Sequence, residues 1–513
     1  MQGCLEPTRV ITDKARRQLL SGDFYSQGET CTAVIRPADT ESLAEAVRVT
    51  TEGGYAVIPR GGGMTYTGGC TPETEVAVVV DVSGMTGIVD FDPAAMTVTV
   101  RAGTTWEQIH EVLSPQGLRL PFFGTFSGRR ATVGGGLSTG AVFFGTARYG
   151  TAADNTLGIE VVCADGRIIR TGQPAFRNGK PFYRTHGPDL TGLFLHDCGT
   201  LGIKTQATLK LIEAPTHNEH LSFAFPDAPS AAAALSAIGR SGAAEDAYVF
   251  DPETTAKNMA GGNLADDVRR LGDIVSGQSG ILKGIKTGAK VVAAGKNIVP
   301  KEVYSLHLTC AAYSDESAKS DRDRCREILL SAGGTEIPNS IPLAVRATPF
   351  DNLNGVLGAD GERWVALNAK VTHSDAPAII EQFDALLNRH RARMDALGVT
   401  IARLFIAMDT HAFSFEPVFH WRDRWLPMHR EVPDPSHLAT LTEAPANPEA
   451  AALVAELRDD TLALFSELGA ASNQIGRTYP YRERLEPATR ALLDAVKAEL
   501  DPAGLMNPGV LGL

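Results

Sequence analysis

Three consecutive glycines, Gly61, Gly62 and Gly63, follow an apolar run at residues 55–58. A backbone without Cβ atoms is free to take positive φ and to turn successive N–H groups toward one anion. The stretch Pro59, Arg60, Gly61, Gly62, Gly63, Met64, Thr65, Tyr66, Thr67, Gly68 and Gly69 therefore reads as a phosphate cradle at the end of a strand. A glycine-rich surface turn would need the same residues. However, a second glycine cluster at residues 131–136 and a third at residues 199–203 follow at domain-scale intervals. A dinucleotide, with two phosphates and a flat ring, would use all three.

The 513 residues are enough for two or more domains. A formal net charge of −12 argues against nucleic acid or an anionic membrane surface as the main partner, while leaving room for a local basic patch. The seven cysteines are odd in number, far apart and without a C-x-x-C pair, so neither a metal site nor a disulfide framework is expected. Residues 1–7 lack a basic region leading into an apolar one, and no run of 18 apolar residues occurs. The expectation is a reduced, cytoplasmic protein with no membrane span.

Hydrophobic periodicity gives a mixed pattern. Residues 33–35 read as a strand, and Asp39 or Thr40 can cap a helix whose buried stripe is Leu43, Ala46, Val47 and Thr50. Residues 76–82 are apolar except for Asp81, which predicts a strand buried on both faces. Met96, Val98 and Val100 alternate with Thr97, Thr99 and Arg101. Capping-box spacing at residues 104–107 opens a helix with Trp106, Ile109 and Leu113 inside. Two apolar runs joined by Asp165 and Gly166 predict a hairpin over residues 158–170.

This half lacks strict β-α-β alternation, so the expected class is α+β. After Pro215 the texture changes. Strands at 304–310, 364–371 and 401–408, with helices at 230–238, 321–330 and 376–397, predict a second sheet covered on one face. Residues 456–468 and 487–500 read as closing helices. The expected division is a first domain over 1–214, completed by the tail 470–513, and a second over 215–469. Residues 261–296 are rich in glycine and lysine and read as a mobile excursion, a lid or a partner segment.

In order, the chain carries the cradle at 59–63 and the cluster at 131–136. Arg148, Tyr149 and Gly150 follow with Asp154 and Asn155, then the cluster at 199–203 and a closing stretch at 501–509. Taken together these resemble the FAD-linked oxidoreductase superfamily of vanillyl-alcohol oxidase and p-cresol methylhydroxylase, which also contains D-lactate and glycolate dehydrogenases. The resemblance covers residues 32–212 and 475–513. It implies a PCMH-type FAD-binding domain, an α+β cap domain over the isoalloxazine, and a tail that returns to the first domain.

By the same resemblance, the pyrophosphate would meet the N–H groups of residues 60–64. Pro59, Arg60, Gly61, Gly62, Gly63, Met64, Thr65 and Gly69 would thus belong to the FAD site. Thr132, Val133, Gly134, Gly135 and Ser138 would run along the ribityl and pyrophosphate region. Tyr149, Gly150, Gly199, Gly202, Ile203 and Asn507 would complete the contact. Many relatives attach the flavin through a histidine just after the glycine run, where this chain has Met64. A noncovalent FAD is therefore expected.

A flavin that accepts hydride needs a C–H bond next to oxygen or nitrogen and a group to handle the proton. The resemblance makes Arg477 the anchor for an anionic substrate end; the alternative is an arginine paired with an exposed acid. If the strand from Ile401 ran on regularly, Asp409, His411, Phe413 and Phe415 would share one face. His420, Tyr479 and Tyr481 are the other candidates for proton handling, each with an equally ordinary structural reading.

The histidine-rich metal motif and the Glu-His-Gly element of the 2-hydroxy-acid dehydrogenases are replaced by residues 405–411 and 472–476. A catalytic metal is not expected, and the balance tips toward aromatic or phenolic alcohols oxidised to an aldehyde or ketone. A metal-independent D-2-hydroxy-acid dehydrogenase and a flavin-binding electron-relay subunit are the alternatives. Oxygen and a redox carrier both stay open as electron acceptor. Homodimers are common in the superfamily, but no feature of this sequence argues for one.

Overall fold

The computed structural model describes residues 6–260, 300 and 302–513. The stretch 261–296 lies outside them.

The first sheet has the order β1 (Val10–Ile11), β2 (Ala33–Ile35), β4 (Ala77–Asp81), β3 (Ala56–Arg60). β4 runs parallel to both neighbours, and all five of its residues are buried, as its unbroken apolar run requires. β3 ends at Arg60, opposite Asp81, and delivers the glycine loop. The helix Thr40–Glu52 is capped by Asp39 and packs Leu43, Ala46 and Val47 inward.

The second sheet has the order β5 (Ile88–Asp92), β6 (Thr97–Arg101), β10 (Ile203–Lys210), β8 (Thr156–Val162), β9 (Ile168–Arg170). β8 and β9 form the hairpin expected around Asp165 and Gly166, with Gly166 at φ 81°. Two short strands, β7 (Leu118–Arg119) and β11 (Ile212–Glu213), pair beside it.

A third, eight-stranded sheet comprises β15 (Thr335–Ile337), β12 (His217–Phe225), β14 (Tyr304–Ala312), β13 (Asp246–Phe250), β18 (Thr400–Met408), β19 (Ala412–Trp421) and β16 (Arg363–Ala366), with β17 (Ala369–Val371) pairing to β19. The helices Ala228–Ser241, Asp315–Ser331, Ala376–Leu397 and Pro448–Glu467 contribute to the core on one of its faces. That core takes Phe413, Phe415 and Phe419 from β19. The other face of the same strands is left to line a cavity.

The strand expected to run from Ile401 through His411 is instead a hairpin. β18 stops at Met408, which pairs with Ala412, and Asp409 takes the left-handed φ of 51°. The reversal puts Asp409 and His411 in the turn, away from any face shared with Phe413 and Phe415. The run 364–371 likewise splits into β16 and β17.

The helix Pro487–Leu500 leads into a tail that bonds to the first sheet: Val57 donates to the Leu505 carbonyl and Asn507 donates to the Val57 carbonyl, each at 2.8 Å. Among the described residues, no helix is long and apolar enough to cross a membrane.

Candidate functional site

A cavity of about 600 Å³ runs from the three glycine clusters to the uncovered face of the eight-stranded sheet. Pro59, Arg60, Gly61, Gly62, Gly63, Met64, Thr65, Gly69, Thr132, Gly134, Gly135, Ser138, Gly199, Gly202 and Ile203 all line it.

The glycines serve two purposes. A Cβ on Gly62 would collide with the Arg130 carbonyl, and one on Gly61 with the Thr132 hydroxyl, so the loop can lie against the second cluster only without side chains. A Cβ on Gly135 would meet only the Thr132 hydroxyl, at 3.2 Å, and otherwise project into open space. Among the described residues, the amides of Gly61, Gly62, Gly63 and Met64 donate to no backbone carbonyl.

Arg60 does not turn its charge into the cavity. Its guanidinium folds back to the Gly22 carbonyl at 2.9 Å and to the sulfurs of Cys70 and Met428, both at 3.2 Å. Free amides and side-chain-free walls fit a pyrophosphate and the narrow chain attached to it, with backbone dipoles rather than a cation facing the anion.

Four residues expected at the cofactor are placed elsewhere. Val133 is fully buried in the core with Trp106 and Leu137. The Tyr149 ring lies under Arg119, with 5.7 Å from guanidinium to centroid. Gly150 takes a φ of 73° beside Asp154, where a side chain would collide with the carboxylate. Asn507 is a tether: its amide donates to the Gly69 carbonyl at 2.8 Å and to the Cys198 carbonyl at 2.7 Å, holding the first and third clusters together from behind.

The far end of the cavity is floored by alternate residues of β18 and β19: Ala402, Leu404 and Ile406, with Glu416, Val418 and His420. Tyr66 and Trp364 form a wall, their rings edge to face at 5.8 Å. Burial pushes the Glu416 carboxyl up to about 7, and among the described residues no hydrogen bond or neighbouring charge offsets that cost. Burial, with Lys257 adding to it, drives the His420 imidazole down to about 3, so it is neutral.

Of the expected catalytic residues only His420 lines the cavity. Arg477, expected to anchor an anion, has its guanidinium filled: Nη1 donates to the carbonyls of Gly68 at 2.5 Å and Thr71 at 2.6 Å, and Nη2 to that of Pro508 at 2.7 Å. Glu73 lies 3.2 Å from Nε. Tyr479 is buried, and its hydroxyl accepts from the Asn368 amide at 2.7 Å. Tyr481 is 36% exposed at the surface, and the hairpin turn keeps His411 in solvent.

Glu416 was not singled out by sequence reasoning. The parity of β19 carries the signal: Phe413, Phe415, Phe419 and Trp421 have one parity and form the core face, so Glu416 and His420 must face the other way.

A glycine cradle at the end of a parallel strand, facing a cavity floored by the eight-stranded sheet, is the arrangement a dinucleotide with a flat reactive ring requires. Residues 31–172 match the family described as an FAD binding domain. The glycolate oxidase subunit GlcD of Bacillus subtilis is 32% identical over 233 residues, 45% of this chain and 48% of that protein. The D-lactate dehydrogenase of Archaeoglobus fulgidus is 31% identical over 193 residues, 38% of this chain and 41% of that one. The chain thus spans about half or less of the length of these curated relatives.

Among solved structures, p-cresol methylhydroxylase with substrate bound aligns at a TM-score of 0.75 and 17% identity, covering 100% of this chain and 95% of that one. Alkyldihydroxyacetonephosphate synthase aligns at 0.68 and 16% identity, covering 99% and 83%. The chain thus carries an FAD-binding domain within a fold shared with p-cresol methylhydroxylase, and its cofactor is FAD.

Proposed function

We propose that this protein is an FAD-dependent oxidoreductase that oxidises the CH–OH group of an apolar or aromatic alcohol, with Glu416 taking the hydroxyl proton. Bound in the cradle, FAD supplies a two-electron acceptor for the hydrogen of the C–H bond. Free amides of the glycine loop bind the pyrophosphate, and Tyr66, Trp364 and the apolar strand face exclude water from the reacting end. The observation that carries the reading is Glu416: an uncompensated carboxyl, raised to about 7, inside an otherwise apolar part of the cavity. A base near the working pH is half ionised there and accepts a proton efficiently. We further propose that the FAD is held without a covalent bond, since Met64 stands after the glycine run.

A second reading, oxidation of a 2-hydroxy acid, is favoured by the names of the sequence relatives. It needs a cation for the carboxylate. Of the cations lining the cavity, Arg60 is committed to Gly22 and Cys70 and Lys204 to Asp197 at 2.5 Å, while the charge of Lys257 is already balanced by Glu362 at 3.0 Å and Glu253 at 3.4 Å, at the end of the cavity away from Glu416.

An anaerobic visible spectrum, taken before and after addition of aryl alcohols and of 2-hydroxy acids, tests both readings. Bleaching by the alcohols, with loss of bleaching in Glu416→Gln, is the expected result. Bleaching by hydroxy acids alone would overturn the preferred substrate class. A protein that binds no FAD would overturn the proposed activity altogether.

A further inference from the structure

The cavity floor has a second polar end, which the proton transfer at Glu416 does not use. Glu416, Val418 and His420 lie on one face of β19, so His420 stands four residues from Glu416, about 13 Å along the strand. The floor between them is apolar: Val418 has Ala402 directly across the hairpin, and both line the cavity.

At the far end, Lys257 donates to Glu362 Oε1 at 3.0 Å and lies 3.4 Å from Glu253 Oε1. His420 Nδ1 lies 3.9 Å from the same Glu362 oxygen. It is buried and, among the described residues, has no hydrogen-bond partner, while the whole residue is only 8% exposed. Both Lys257 and His420 line the cavity.

These groups have a defined hydrogen-bonding character. The Glu362 carboxylate beside Nδ1 favours the neutral tautomer protonated there, which leaves Nε2 as an acceptor. The Lys257 ammonium has three donors; one goes to Glu362 Oε1, and even if the ion-paired Glu253 draws a second, a third is left over. What remains is one acceptor and at least one donor around a shared carboxylate. A carboxylate ligand would accept from lysine but offer nothing to Nε2, and an ammonium would repel Lys257. A hydroxyl both donates and accepts.

We propose that His420 and Lys257 form a distal subsite that reads a hydroxyl on the far end of an elongated substrate, whose apolar middle lies over Val418 and Ala402 and whose reacting carbinol lies at Glu416. This rests on the reading of the Glu416 end as the reacting end.

The probes are 4-(4-hydroxyphenyl)benzyl alcohol and its parent 4-phenylbenzyl alcohol. Each is titrated calorimetrically into the FAD-loaded protein, with the flavin reduced beforehand so that no turnover occurs. The hydroxylated probe should bind about tenfold more tightly than the parent, the value of one or two satisfied hydrogen bonds. His420→Phe and Lys257→Met should each bring that ratio near one, and His420→Gln, which keeps an acceptor, should retain part of it. Equal binding of the two probes by the unmodified protein, binding of neither, or a ratio unchanged in both His420→Phe and Lys257→Met would overturn the subsite. Failure of the parent alcohol to bleach oxidised flavin, with the binding ratio intact, would overturn the alcohol oxidation and leave the hydroxyl-reading subsite standing.

Discussion

Glu416 lies directly across the β18–β19 hairpin from Leu404, and both side chains face the cavity. The partner that would normally steady a buried carboxylate is therefore an aliphatic chain, and burial lifts the carboxyl to about 7. If Glu416 is the base, kcat/KM rises with pH and levels off above an apparent pKa near 7. Glu416→Gln lowers it by about a hundredfold or more and abolishes that inflection. A profile that keeps its inflection in Glu416→Gln would place the base elsewhere.

The same shift has a folding consequence. The folded carboxyl holds its proton to higher pH than the unfolded one, whose ordinary value is near 4.5. Between those values the unfolded chain binds fewer protons, so stability falls as pH rises through this window and stays lowered above it. Glu416→Gln should therefore melt above the unmodified protein at pH 8, with the difference shrinking toward pH 4. Melting curves of the FAD-free protein at both pH values check this.

A buried ion cluster joins β7 to the start of β13. Arg119 donates to Glu245 at 2.5 Å, with side-chain exposures of 5% and 0%. Arg346 bonds the other Glu245 oxygen and reaches Asp246 at 3.0 Å. Although burial pushes the Glu245 carboxyl up, Arg346 and Arg119 outweigh it and hold the group below its usual range. Glu245→Ala leaves two guanidinium groups facing one another, a change expected to cost about 3–5 kcal/mol in denaturant unfolding. Glu245→Ala with Arg119→Met should recover part of that loss, because one orphaned charge goes with it.

Local pattern made much of this architecture legible. The unbroken apolar run of β4, the Asp165–Gly166 hairpin and the helix Pro487–Leu500 are each specified by neighbours in sequence. What escaped depends on contacts between distant segments. Arg477 finds its acceptors on Gly68, Thr71 and Pro508, so nothing near it in sequence announces a tether. Asn507 likewise clasps Gly69 and Cys198. The helix at Pro448–Glu467 begins eight residues before the expected position 456, where Asn447 caps it by accepting from Ala450. Glu416 is readable from strand parity alone, since Phe413, Phe415, Phe419 and Trp421 mark the opposite, core face.

The two roles of glycine separate experimentally. Gly62→Ala forces a methyl group into the Arg130 carbonyl and should destabilise the fold and cofactor binding together. Gly135→Ala meets only the Thr132 hydroxyl, at 3.2 Å, and projects into the cavity. It should fold with nearly unchanged far-ultraviolet circular dichroism but retain little FAD after gel filtration. Equal flavin content in Gly135→Ala and the unmodified protein would mean that this wall is not in contact with the cofactor.

Arg477 allows the anchoring and tethering roles to be told apart. A substrate anchor, once lost, raises KM in protein already loaded with FAD. A tether acts through the carbonyls of Gly68, Thr71 and Pro508, where the glycine loop meets the tail. Charged donors to buried carbonyls contribute about 1.5–3 kcal/mol each, so Arg477→Met should lower unfolding stability by at least about 2 kcal/mol and weaken FAD retention. In the fraction that stays loaded, KM for a bleaching alcohol should move by less than about twofold, which at about 0.4 kcal/mol is well below the loss of one such hydrogen bond. A tenfold rise in KM with FAD content unchanged would restore Arg477 to the substrate.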